Sequence, residues 1–388
     1  MKYINQKRQL TYLMAAVSIV QFFYSLPNTT IPLFVLEMGG GEAEVGLIGG
    51  IISVGALLFR GIIGYITDVK GRRIVYLAGV IIYAATTFGY AVSPNIAFLM
   101  VFKAVSGVGL CAVTSGACAI IADLSGENAT RGLTALMTVQ MVAGLFAPTL
   151  GMALGEIIGY RLLYTFSAIG FLPAILLVMP IRYEKYLPKE PAQKPEKTKF
   201  RVTQLFEKSA AAPAVCTAFL GITVCSVTNF IASYGKTISV NNTGFFFIVN
   251  GLMTLAVFPA LKKFSQRKYN NRVFVLGVAA FLVSLGCLLV TRGAPLIAVS
   301  AGFYSVGYAA CQPILNALAL SKAPPERKGA ANATCYIAWD IGFGIGSALL
   351  GMLATGFGYG SIFLVAMACA LVMAGIYGLY QKRQPANE

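Results

Sequence analysis

Histidine is absent from all 388 residues, and acidic residues are scarce, with 14 Asp and Glu against 30 Lys and Arg. Without an imidazole there is no histidine to bind a metal, assist a nucleophile or relay protons, so acid–base work near neutrality falls to buried carboxylates. Charged residues of both signs make up only 11% of the chain, less than half of the roughly 25% usual in a soluble domain. A water-facing surface of ordinary size cannot be covered from that supply. Strictly alternating segments of about ten residues, the mark of a membrane β-barrel, are also missing. The apolar runs, such as 273–290 and 362–379, are continuous and studded with Gly and Ala. No cysteine cluster has metal-ligand spacing and no phosphate-binding loop is present, which argues against an integral membrane enzyme. No repeated filter-like segment speaks for a channel.

What remains is hydrophobic: 57% of the residues are apolar and the mean hydropathy is +0.74. A bilayer core needs roughly 20 apolar residues per helical crossing. The runs predict an all-α membrane protein with twelve spans near 10–36, 44–66, 74–93, 97–121, 132–158, 161–181, 210–235, 243–261, 273–291, 295–321, 330–355 and 359–380. The first run is too long for a cleaved leader and lacks a small-residue cleavage site, so the first helix is expected to stay.

Charge then sets orientation. Lys2, Lys7 and Arg8, the trio Lys70, Arg72 and Arg73, the basic stretch 182–208, and Lys322, Arg327 and Lys328 all fall on one side of the spans. By the positive-inside rule both termini and the central loop are cytoplasmic. The positive charge is orientation, not a nucleic-acid surface. All eight cysteines (Cys111, Cys118, Cys216, Cys225, Cys287, Cys311, Cys335, Cys369) lie inside spans, where a free thiol is a small packing residue and no disulfide framework is implied.

The stretch 182–208, rich in Lys, Glu and Pro, is too polar to cross a bilayer or build a core. It reads as a linker between a first bundle, 1–181, and a second, 209–388. The halves echo each other: Gly132 and Gly329 open Gly-rich spans behind similar charged loops, half a chain apart. Internal duplication is a recurrent plan of secondary transporters, in which two bundles rock about a solute.

After the second span comes Gly64-Tyr65-Ile66-Thr67-Asp68-Val69-Lys70-Gly71-Arg72-Arg73. This run resembles the G-x-x-x-D-x-x-G-R-R loop signature of the major facilitator superfamily, at the place in a six-plus-six chain where that family carries it. The resemblance implies the major facilitator fold, transport by alternating access, and a cytoplasmic latch made of Gly64, Asp68, Gly71, Arg72 and Arg73, with Asp123 and Arg131 as partners. The corresponding loop of the second half has Ser265 where Asp68 would map. Two weaker echoes point to the drug and metabolite:proton antiporter branch. Lys103 stands before Gly107 and Gly109 where that branch has an arginine, and Pro148 with Gly151 keeps part of its fifth-span signature, suiting either a gating helix or plain tight packing.

Ionisable groups inside spans are functional candidates. Asp340 lies near the middle of the eleventh span and is the candidate for proton coupling, its alternative being a hydrogen-bonded lock to a neighbouring helix. Arg60 belongs either to the cavity or to the loop latch, and Lys103 either to the cavity or, snorkelling, to the outer interface. The polar set Gln21, Tyr24, Asn28, Gln140, Asn229, Asn250, Tyr304, Gln312 and Asn316, with Tyr336 and Trp339 flanking Asp340, lies on spans that line the cavity in the resembled family. Most of these residues singly suit interhelical hydrogen bonds; as a set they favour a polar, amphipathic solute over a lipid.

The expected function is a proton-coupled exporter of small organic molecules, with the solute, protons and the lipid bilayer as partners, no cofactor, no metal, no nucleic acid, and a monomer in a bacterial inner membrane. The alternatives are an exporter dedicated to a zwitterionic or anionic metabolite, favoured by Arg60 and Lys103, and an uptake permease of the same fold.

Overall fold

The computed structural model describes residues 2–125, 129–181, 207–240, 242–264, 270–321, 323–324 and 327–382. Among the described residues the regular elements are all helical. They are α1 (Lys2–Glu37), α2 (Glu42–Lys70), α3 (Arg72–Val92), α4 (Ile96–Ser125), α5 (Ala129–Leu145), α6 (Ala147–Ile158), α7 (Tyr160–Gly170), α8 (Leu172–Val178), α9 (Ala211–Thr228), α10 (Ile231–Thr237), α11 (Phe245–Phe264), α12 (Asn270–Val290), α13 (Ala294–Ser321), α14 (Lys328–Phe357) and α15 (Tyr359–Lys382). Among the described residues, eleven segments are long and apolar enough to cross a bilayer, and a shorter apolar one, Phe245–Val257, makes the twelfth. This is a multi-pass, all-α membrane protein.

Three expected spans are broken. The fifth divides at Phe146, ahead of Pro148 in the first turn of α6, and the sixth at Phe171, ahead of a proline in the first turn of α8. Proline lacks an N–H and fixes φ, so it is well accommodated in the first turn of a helix, where that N–H has no intrahelical partner. The seventh divides at Asn229 and Phe230.

The chain falls into two units: Met1–Thr30 with Gly55–Val202, and Ile31–Val54 with Thr203–Glu388. The expected linker lies, up to residue 206, outside the described residues. In the first unit α1, α3, α4, α5 and α8 meet around Leu13, Val17, Tyr76, Val80, Tyr83, Ala117, Ile120, Leu136, Phe171 and Ala174. In the second, α9 packs on α14 and α15, and α12 on α13. Small residues set the approach: a Cβ on Gly342 would fall 2.0 Å from the carbonyl oxygen of Ala218, so only glycine permits that α9–α14 crossing.

Segment 31–54 groups with the second unit rather than with the first, for the same reason. A Cβ on Gly46 would meet the Ser347 carbonyl oxygen at 2.5 Å, and one on Gly50 the Gly344 carbonyl oxygen at 2.2 Å. Both units carry an equivalent corner, Gly159-Tyr160 and Gly358-Tyr359, with φ of 81° and 74° at the glycines and the tyrosines buried. This corner is the duplication expressed in backbone geometry. Large exposed apolar side chains such as Leu58, Val101, Leu176, Leu349 and Leu379 face outward, as lipid-facing residues do.

Candidate functional site

Each unit holds one buried charge within an apolar helix and a polar or aromatic surround. In the first unit the tight packing of α1 and α3 stacks Tyr24 on Tyr83, with ring centroids 4.8 Å apart. These two rings, with Gln21, Thr114 and Gln140, line a cavity of about 30 Å³, room for a single water. The Gln21 amide also donates to Ser25 Oγ at 3.2 Å.

One turn along α1, Asn28 Oδ1 accepts a hydrogen bond from Lys103 Nζ on α4. Lys103 is 3% exposed and lies 6.0 Å from the Tyr90 ring centroid. It does not snorkel: its chain turns into the unit, where the amide oxygen and the aromatic face receive it. Tyr90 in turn sits edge-on to Tyr164, whose hydroxyl accepts from Thr30. Arg60 is half-exposed on α2.

At the other end of this unit stands the loop motif. Gly71 has φ 97°, a left-handed conformation that a side chain would strain, and it lets α3 start directly after α2. Arg72 then forms an ion pair with Asp123 and donates to the Ala119 carbonyl at 3.2 Å. Arg73 reaches the Met179 carbonyl beyond α8. The two arginines thus tie the start of α3 to α4 and to the segment after α8 within one unit. Among the described residues nothing lies within 4 Å of a Cβ built on Gly64. Asp68 and Arg131 fall on helical backbone, and their side chains lie outside the described residues. Pro148 is buried, and Gly151 is pressed against α1, where a Cβ would meet the Leu26 carbonyl oxygen at 2.6 Å.

In the second unit Asp340 is 6% exposed, about 18 Å along α14 from its start at 1.5 Å per residue. Beside it runs an aromatic series. Tyr304 and Tyr308 on α13 are parallel at 6.4 Å, Tyr308 meets Trp339 at 6.4 Å, and Trp339 stacks near Phe343 at 6.2 Å. Phe246 and Phe281 close on Tyr304 from its other sides. Gln312 and Asn316 continue the α13 face half-exposed, and Tyr336 is exposed on α14.

Two of the expected polar residues are interhelical ties. Ser305 Oγ bonds both the carbonyl and the Oδ1 of Asn250 at 2.8 Å. Asn229 donates to Ser347 Oγ at 2.9 Å, and Ser347 donates to the Gly46 carbonyl at 2.8 Å. Sequence reasoning missed Tyr83, Tyr90, Tyr308, Phe343 and Ser347. The four-residue spacings Tyr304–Tyr308 and Trp339–Phe343 carried the signal for two of these, Tyr308 and Phe343.

At the start of α9, outside the apolar stretch, Glu207 accepts from the Ser209 backbone N–H at 3.3 Å and its hydroxyl at 3.1 Å, and pairs with Arg327 at 2.8 Å. These contacts, the Ser209 amide foremost, hold its carboxyl below the usual range. Among the described residues no group of three or more Cys, Asp and Glu is placed to hold a metal ion.

The family model of the Major Facilitator Superfamily matches residues 13–334 and 212–388. The chain belongs to the major facilitator superfamily. Within it, the chain is 24% identical over 91% of its length to the multi-drug resistance efflux pump PmrA homolog of Lactococcus lactis, covering 91% of that protein. It is 26% identical to the multi-drug resistance efflux pump PmrA of Streptococcus pneumoniae, over 92% of each chain. A solved structure of a bacterial homolog of the human lysosomal transporter Spinster, in its inward-facing and unoccupied conformation, superposes with a TM-score of 0.78 at 15% identity, covering 99% of both chains. The fold is therefore that of a major facilitator transporter, twelve membrane helices in a six-plus-six plan.

Proposed function

We propose that this transporter is a proton-coupled exporter of small organic molecules, working by alternating access as a monomer in a bacterial inner membrane with both termini cytoplasmic. The observation that carries the reading is Asp340, 6% exposed deep in an apolar helix and flanked by Trp339 of the Tyr308–Phe343 aromatic series. An ionisable group within an apolar span is a functional candidate, and a carboxyl there can take up and release the proton that a gradient supplies. The aromatic series offers flat apolar faces to a ring-bearing solute, and the ionised carboxylate attracts a cationic one. Proton and solute thus compete for the same group, which is the basis of exchange. The relatedness to efflux pumps supports the outward direction. Gating falls to Gly64, Asp68, Gly71, Arg72, Arg73, Asp123, Arg131, Pro148 and Gly151. A second reading, export of a zwitterionic or anionic metabolite, draws on the cations Arg60 and Lys103 of the first unit; an uptake permease is the same machine run inward.

The test is solute-driven proton flux in proteoliposomes, with ethidium as a cationic probe and a fluoroquinolone as a zwitterionic one, comparing the native chain with Asp340→Asn. The variant is expected to lose gradient-driven accumulation and keep downhill exchange. Uphill transport equal to native would remove Asp340 from the mechanism.

A further inference from the structure

An ammonium group buried without a counter-ion is costly, and a lysine in that position is relieved either by an anion or by giving up its proton. Lys103 is in that position. Its side chain is 3% exposed, its Nζ bonds Asn28 Oδ1, and no carboxylate is within ion-pair distance of it among the described residues. The ionisable groups on the surrounding helices do not supply the missing charge. Tyr24 on α1, Tyr83 and Tyr90 on α3, and Tyr160 and Tyr164 on α7 are neutral phenols at physiological pH. Arg161 is held by the carbonyls of Ala91 and Ser93 at 2.9 and 3.0 Å, and Arg60 on α2 is itself a cation. Glu156, at the end of α6, is exposed, and Asp123, at the far end of α4, is paired with Arg72.

The partner that is present has a particular chemistry. An asparagine amide is neutral and carries both an acceptor oxygen and two N–H donors. Its oxygen accepts from an ammonium, and, turned about its last torsion, its N–H donates to the lone pair of a free amine. A carboxylate in its place would bind only the charged form and pin it. An arginine in place of Lys103 would keep its proton throughout.

We propose that Lys103 exchanges a proton, cycling between ammonium and free amine against the neutral amide of Asn28, so that the first unit carries a proton site in addition to Asp340. The proton leaves Nζ for water and the N–H bonding pair stays as the amine lone pair, which accepts from Asn28 Nδ2; on reprotonation from water Asn28 Oδ1 accepts again. This inference rests on the proton-coupled reading but is tested apart from it.

The native chain, Lys103→Arg and Lys103→Met are purified in phosphatidylcholine nanodiscs and titrated potentiometrically through neutrality without solute, so that all other groups cancel in the difference. The native chain is expected to exchange one proton more per chain than either variant, and two variants, one cationic and one neutral, guard against a folding defect in one. Superimposed curves overturn the proposal and leave Lys103 a fixed cation, as an anion-binding role requires. In the proteoliposome assay, with whichever probe the native chain carries, Lys103→Arg is expected to lose uphill transport; an arginine variant that pumps as native also overturns it. Should the native chain carry neither probe, the exporter reading fails while the titration still decides Lys103.

Discussion

Substituting Gly46 by alanine isolates the cost of one helix crossing. A Cβ there would lie 2.5 Å from the Ser347 carbonyl oxygen and 2.7 Å from Gly351 Cα, where carbon contacts normally settle at about 3.5–4.0 Å. Both obstacles are backbone and cannot rotate away, so α2 and α14 must separate by about 1 Å. Such overpacking costs about 1–3 kcal/mol. The same separation stretches the 2.8 Å bond from Ser347 Oγ to the Gly46 carbonyl, on which the Asn229 contact depends. Alanine also raises helix propensity by up to about 1 kcal/mol, but α2 is helical whether or not it touches α14. That gain therefore cancels in local opening, and the packing cost decides. An opening equilibrium shifted by 1–3 kcal/mol changes by about 5- to 150-fold. The probe is Ser53→Cys, placed at a side chain 6% exposed in a chain whose native cysteines are replaced, with maleimide labelling rate as the readout. Gly46→Ala is expected to speed labelling by that factor. Gly375→Ala, at a glycine with nothing within 4 Å, is the control and should leave the rate unchanged. Equal labelling in Gly46→Ala and its parent would refute the argument that the glycine contact holds the segment.

Two further outcomes follow from the ion pairs. Asp123 is 16% and Arg72 35% exposed, between a surface pair worth under about 1 kcal/mol and a buried one. A double-mutant cycle of Arg72→Ala and Asp123→Asn, read by thermal unfolding in detergent, is expected to give a coupling of about 1–2 kcal/mol, with additive single effects counting against the latch. Glu207 has a depressed carboxyl pKa in the folded chain, so its contribution is present above the ordinary Glu value near about 4.3 and is lost as pH falls through the folded value. Native stability should therefore drop more steeply on acidification than that of Glu207→Gln, and parallel pH profiles would show that the Ser209 and Arg327 contacts contribute nothing.

Candidate site residues were legible in the sequence because the bilayer makes few polar residues stand out. Asp340, Lys103 and Asn28 were visible as exceptions within apolar runs, and the Gly71-Arg72-Arg73 turn as a motif. Their pairings were not. Asn28 and Lys103 are 75 residues apart, and nothing in either local sequence says that the lysine turns inward onto that amide rather than outward to the interface. Asn229 and Asn250 read singly as interhelical hydrogen bonds, and each ties helices together through a serine whose hydroxyl has no signature in composition.

Composition and spacing alone determined the solvent, the helical class and the twelve crossings, because each is imposed residue by residue by the cost of exposing backbone and charge to hydrocarbon; the family likeness rested on the resemblance of the 64–73 loop. Which glycines serve contact and which do not, where the proline-led breaks fall, and the grouping of segment 31–54 with α14 belong to the tertiary structure. Those outcomes depend on distances of a few tenths of an ångström between backbones remote in the chain, and steric fit at that scale exists only once both partners are in place.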